Sequence, residues 1–221
     1  MVSKEAGNGT RPLMESLGEM QRRLAQVASD TLPEDFLACA LELTGEAPSE
    51  SYFRPWRWII VRSEPGKQQL ESAAYSEVPL SRSPIVLICL ADTAAWKTTQ
   101  KQLQEMVAAK ILSAESARNV LNRIHRHYSA SPQSAERAAL ANAFLAVHQV
   151  LTAAACCQVP ARWVSVFDEK KIQTYFHIPD QFLVAALVAI GHEDKDTPAT
   201  FKLPAQLFVY HEKFGEVTLA R

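Results

Sequence analysis

The run Pro84-Ile85-Val86-Leu87-Ile88-Cys89-Leu90 is apolar at every position rather than at alternate ones. A strand of that kind is at home only where helices bury both of its faces. The chain must therefore build a sheet with a helical layer on each side. A second segment also demands a buried setting. Between Ala135 and Cys157, Leu140, Phe144, Val147 and Leu151 form one stripe, and alanines fill much of the remainder. Small side chains on several faces let neighbouring helices approach closely, so this segment is predicted to be the central buried helix. With 221 residues, 48% of them hydrophobic, the chain can bury such a core within one domain.

The remaining segments supply the other layers. Residues 1–10 carry Gly7 and Gly9 with no apolar face and read as a flexible lead-in, leaving 11–221 as a single domain. Leu13, Met14, Leu17, Met20, Leu24 and Val27 recur at helical spacing, predicting a first helix from Leu13 to Ala28. Asp30 or Thr31 can cap a second, with Pro33 in its first turn, Glu34 and Asp35 near its positive end, and Gly45 as a left-handed exit. A strand over Arg57–Arg62 follows, and Pro65-Gly66 punctuates the chain before a helix from Lys67 to Tyr75. Helix is expected from Ala94 to Tyr128, broken near Leu112, with Ser113 capping the restart. Ser129–Ser134 reads as a polar loop containing Pro132. Trp163–Phe167 reads as a short strand, Asp168 caps a small helix through Tyr175, and Phe182–Ile190 favours a strand closed by Gly191. The tail from Pro198 is proline-punctuated, with a strand-like Leu207-Phe208-Val209-Tyr210. This order defines an α+β arrangement around a small sheet.

Composition and spacing exclude several functions. A formal net charge of −1 provides no basic field to gather nucleic acid or an anionic membrane. The locally basic Arg118–Arg126 lacks interleaved aromatics and reads as a solvated helix face. The first thirty residues hold no apolar signal core, and no stretch approaches the roughly 18 uninterrupted apolar residues of a membrane span. Cys39, Cys89, Cys156 and Cys157 lack zinc-cage spacing, and the adjacent Cys156-Cys157 reads as core packing. A soluble, reducing, cytoplasmic setting is expected. His125 and His127 lie two apart on a helix and cannot chelate together, His148 reads as a core or interface histidine, and His177, His192 and His211 follow no ligand spacing. No metal is expected. Hydrolase, P-loop and thioredoxin-like motifs do not occur, and Trp56, Trp58 and Trp163 read as core aromatics.

One stretch goes further. Ala47-Pro48-Ser49-Glu50-Ser51-Tyr52-Phe53-Arg54-Pro55-Trp56-Arg57-Trp58-Ile59-Ile60-Val61-Arg62 is a helix exit and loop that run into a strand. Its Pro-Trp step and apolar run resemble the signature loop of the nitroreductase family. Leu32–Leu37, Ala138–Ala155, Trp163–Asp168 and Ile178-Pro179-Asp180 with Val184–Gly191 resemble that family's second helix, central helix, following strand and closing strand, in the family's order. The resemblance implies a nitroreductase-like α+β fold with a small mixed, mainly antiparallel sheet flanked by helices. It also implies an intertwined homodimer with FMN at its interface, and a tail, about 198–221, reaching over the partner. Electrons would pass from NAD(P)H to a small oxidised acceptor such as a nitroaromatic or quinone. The flavin would carry the hydride, so no catalytic side chain is required.

The same resemblance nominates the cofactor's contacts. Arg22 and Arg23 stand where the family places a basic pair, although the serine and arginine that follow there are here Leu24 and Gln26. Lys202 stands where a late basic residue of the family meets the phosphate and is the compensating charge. Tyr52 and Arg54 replace the usual Asn and Gln, and Arg54 brings a fixed cation that would favour the reduced flavin. Where the family often has glycines the chain has Gln158, Pro160, Ser165 and Val166, of which Ser165 can donate a hydrogen bond. Taken alone, the residues equally suit solvated surface charges, an Arg54 paired with an acidic neighbour and a packed Tyr52. The alternative function is a degenerate homodimer that binds flavin weakly, or another small ligand, without redox turnover.

Overall fold

The computed structural model describes residues 36–49, 54–75, 78–129, 131–157, 159–191, 204, 207–210 and 212–215. At its centre lie the strands β1 (Trp56–Val61), β2 (Ile85–Asp92), β3 (Ala161–Val164) and β4 (Phe182–Ile190), in the order β1-β2-β4-β3. All three pairings are antiparallel. Every residue of β2 is buried, as its apolar run demands. Leu87, Cys89 and Ala91 face one core, and Val86, Ile88 and Leu90 face the other. Fully burying a Leu or Ile side chain contributes about 1.5–3 kcal/mol, so this single strand anchors both layers. In β4 the register shifts opposite Cys89 and Leu90, which pair with Ala186 and Val184 and leave Ala185 as the extra residue of a bulge.

Among the described residues six α-helices flank the sheet: α1 (Phe36–Thr44), α2 (Glu64–Ala73), α3 (Thr99–Ala108), α4 (Ala114–Tyr128), α5 (Pro132–Cys156) and α6 (Glu169–Tyr175). The cluster containing Leu87 and Cys89 draws on α1 and α5. The opposite cluster draws on Leu70 and Ala73 of α2 and Ile172 of α6. α4 docks by Ile124 and Tyr128 against Ala135 at the start of α5. Two helix starts follow their sequence signals to the residue: Ser113 accepts from the Ser116 amide at 3.0 Å, and Asp168 from the Lys171 amide at 3.1 Å. After α6, His177 takes a left-handed φ of 52°, the role more often given to glycine. Gly191 closes β4 at φ 79°, its amide donating to Pro160 O at 2.7 Å.

Several expectations are corrected. Pro65-Gly66 lies inside the first turn of α2, because Ser63 caps the helix earlier and proline suits that turn. A Cβ on Gly66 would meet Val61 Cγ1 at 2.8 Å, so glycine is there for close approach rather than for punctuation. Pro132 likewise opens α5 instead of lying in a loop. Gly45 does not adopt a positive φ; α1 ends in tight turns in which Gly45, Glu46 and Ala47 donate to carbonyls three residues back. The strand at Trp163–Phe167 is displaced to Ala161–Val164, with Phe167 bridging only Ala74. Leu207–Tyr210 is no strand: Leu207 donates to Pro204 O in a turn. Cys156 and Cys157 are exposed rather than packed in the core. His148 is exposed too, and Trp163 is 49% exposed. The lead-in, the helix at Leu13–Ala28 and the cap at Asp30 or Thr31 lie outside the described residues, as do Gln158, His192 and His211.

The central helix is α5, and most of the stripe turns inward: Val147 is buried, and Leu140 and Leu151 pack against the core cluster. Ala139, Asn142, Ala143, Ala146, Val150 and Ala154 are buried, whereas Phe144 and Leu145 are exposed and Leu140 and Leu151 half-buried. Alanines toward the sheet bring the helix axis close to the strands. By length and composition α5 could cross a membrane, and half of its apolar window is buried inside the fold.

Ala146, with no exposed surface, leaves no room for a larger side chain, so Ala146→Leu is expected to cost about 1–3 kcal/mol, read from the urea midpoint. Glu71 gives a pH signature. Hydrogen bonds from the Ser81 hydroxyl and amide, aided by the Arg82 charge, hold its carboxyl below the ordinary 4.5. A lowered folded pKa contributes stability that is complete above about 4.5 and lost as pH falls through the folded value. Unfolding of Glu71→Gln against wild type across pH 2–7 should show a wild-type advantage that disappears at the acid end.

Candidate functional site

Arg54 and Pro55 lead directly into β1, and their position is set by the far end of β2. The Asp92 amide donates to Pro55 O at 2.6 Å, extending the β1–β2 ladder. Asp92 is buried, and its Oδ1 accepts from the Ala94 amide at 2.9 Å and from Gln181 Nε2 at 3.3 Å. Its Oδ2 lies 3.8 Å from Arg57 Nη2. Arg57 Nη1 in turn donates to Arg54 O at 3.0 Å and Trp56 O at 2.7 Å. Arg54 reaches back through Nε to Gly45 O at 2.6 Å. Its guanidinium is thereby tied to the exit of α1, is exposed, and has no carboxylate partner among the described residues. The arrangement presents a fixed cation at one end of the sheet.

Ser165 sits just past β3, on a segment fastened to the end of α2. The Tyr75 amide donates to Val166 O at 2.9 Å, and the Asp168 amide to Ala73 O at 2.8 Å. The Ser165 side chain is exposed, and Val166 is 60% exposed. β1 and β3 are the two edges of the sheet, roughly 14 Å apart at about 4.8 Å per strand step. One chain therefore does not bring Arg54 and Ser165 together. Arg22, Arg23, Tyr52 and Lys202 lie outside the described residues.

Beside the β3 edge, Phe144 and Trp163 meet edge to face at 5.8 Å between ring centroids. Together with Leu145 they leave an apolar surface exposed on α5 and β3. Nucleophilic chemistry has little to work with here. Cys89 is buried with its thiol pKa pushed far up by desolvation, its Sγ 3.8 Å from Ala143 O. No group of three or more metal-ligating side chains occurs among the described residues. Asp92, Arg57 and Gln181 were not foreseen from the sequence. The available signal was a carboxylate closing an otherwise apolar strand, with an arginine just after the Pro-Trp step.

A small antiparallel sheet between a long alanine-rich helix and two shorter helices, with Arg54 and Pro55 leading into an edge strand, is the frame of a known class. Residues 26–192 match the sequence model of the Nitroreductase family, and the chain belongs to that family. It is 24% identical over 190 residues to a Thermus thermophilus protein named NADH dehydrogenase, covering 86% of this chain and 91% of that one. It is 26% identical over 164 residues to YodC of Bacillus subtilis, a candidate NAD(P)H nitroreductase, covering 74% and 81% respectively. Among solved structures, a candidate nitroreductase from Exiguobacterium sibiricum in complex with FMN shares the fold. Its TM-score is 0.72 at 20% identity, over 84% of this chain and 90% of that one.

Proposed function

We propose that this chain is an FMN-dependent oxidoreductase. It passes electrons from NAD(P)H to a small oxidised acceptor, such as a nitroaromatic or quinone, and works in the cytoplasm as an intertwined homodimer. The observation that carries the reading is the Arg54 guanidinium, tethered by one nitrogen with its charge uncompensated by any described carboxylate. A fixed cation fits the electron-rich edge of a flavin, and the exposed Ser165 hydroxyl adds a donor of matching chemistry. FMN, when bound, would supply the hydride-accepting ring. Arg54 would orient that ring and stabilise the negative charge it gains on reduction, and Ser165 would hold a polar edge. Arg22, Arg23 and Lys202 would hold the phosphate.

The homodimer is supported by the same geometry. Arg54 and Ser165 occupy opposite edges of one sheet, so a site using both needs a second copy to supply one of them. The exposed Phe144, Leu145 and Trp163 offer apolar surface for that contact. The extension at about 198–221 would reach over the partner, with 11–221 forming one domain and 1–10 a lead-in. A second reading is a dimer that binds flavin weakly, or another small ligand, without turnover. The protruding Val166 side chain, in a segment where the resemblance expects glycine, favours it.

Purified protein should show the flavin absorption spectrum, or acquire it with added FMN, and NADH or NADPH should bleach it. A colourless protein that ignores FMN overturns the proposal, and bound flavin that neither nucleotide bleaches favours the second reading. Arg54→Gln should lower the flavin midpoint potential by about 30 mV, equivalent to about 1.4 kcal/mol for a two-electron couple. Leu145→Glu should convert a dimer to monomer in sedimentation and lose FMN with it.

A further inference from the structure

We infer that Asp92 is a positioning residue which, through Arg57, sets where the Arg54 guanidinium points, and so tunes how tightly FMN is held. The inference rests on the proposed function.

Three observations carry it. Asp92 is a buried carboxylate at the end of an otherwise apolar strand, where burying a charge is costly unless it is used. Its oxygens connect separate pieces of the fold: the Ala94 amide after β2, Gln181 before β4, and Arg57 on β1. Gln181 is itself held, its carbonyl accepting from the Thr93 amide at 3.0 Å and hydroxyl at 2.9 Å. The same carboxylate that ties these strand ends together thus faces the guanidinium that grips the backbone at Arg54.

Arg57 transmits the constraint. Its Nη1 spans Arg54 O and Trp56 O while Nη2 faces Asp92, a three-point arrangement that a planar fork can satisfy and an ammonium cannot. The Arg54 backbone is therefore fixed from the β2 side, and its side chain from the α1 side through Gly45. With both fixed, the remaining guanidinium nitrogens have little freedom of direction. A ligand meeting them would not have to order them first.

The test uses the full chain and a double-mutant cycle. Asp92→Asn keeps the shape and an acceptor for the Ala94 amide but removes the charge that attracts Arg57. It should weaken FMN binding about tenfold, the scale of one charge-assisted contact. Arg57→Ala should do the same and Arg57→Lys should recover part of the loss. In the Arg54→Gln background, Asp92→Asn should add almost nothing, because the group it positions is gone. Exchange of the Arg54 Nε proton, followed by NMR without ligand, should quicken in Asp92→Asn. Wild-type protein that takes up no FMN overturns the proposed function and this inference with it. Wild-type uptake with unchanged affinity in Asp92→Asn overturns the inference alone, as does an equal loss in the Arg54→Gln background, which would mark a general loss of stability.

Discussion

The burial of β2 on both faces governs the architecture. A strand with no solvent-facing side cannot lie at a sheet edge or under a single layer, so its neighbours on both sides and above and below are obligatory. β1 and β4 pair with it, α1 and α5 cover one face, and α2 and α6 the other. What varies between the layers is how closely each helix approaches. The alanines of α5, with Val147 and Val150 among them, bring that helix close and leave Phe144 and Leu145 on the outside, which is why one helix both fills a core and offers an apolar outer surface.

Polar constraints operate at the rim of this apolar centre. At one end Asp92 gathers the ends of three strands; at the other Gly191 turns the chain away while bonding to Pro160. Lys67, also buried, reaches Ser83 O at 2.9 Å and Glu64 Oε1 at 2.6 Å, fastening α2 to the approach to β2. Asp92 and Lys67, the buried charges among the described residues, both have partners, as the cost of desolvation requires. They lie where chain direction changes, so they locate the loops relative to a sheet whose own contacts are largely non-directional.

Much of the fold could be read from the sequence, because its signals are local. The apolar runs mark β2 and β4, Ser113 and Asp168 mark helix starts, and the alanine-rich segment marks α5. The errors share a physical origin. In α5 the stripe found the inward side through Val147 but not the exposure of Phe144, because the alanines beside it, which carry no strong hydrophobic signal, make the closest approach to the sheet. Pro65 and Pro132 looked like breaks because a proline in a first turn and a proline in a loop have the same local preferences. The run Val184-Ala185-Ala186-Leu187 hides its bulge because alanine is at home on either face. For the site, Arg54 and Ser165 are described, but their partners were not legible. Strand pairing brings Asp92 to Arg57 and Gln181 to Asp92, while Gly45 meets Arg54 from the end of α1.

The bulge at Ala185 has a geometric outcome for the molecule's outline. On either side of it Val184 and Leu187 still face one core, and Ala186 and Val188 the other. Excising the surplus alanine would leave the sidedness of every other β4 residue intact. The added residue therefore alters heading rather than facing, since a bulge bends its strand and sharpens the local twist. The bulge falls between the corner carrying Pro55, Asp92 and Phe182 and the remainder of the sheet, so that corner has its own heading.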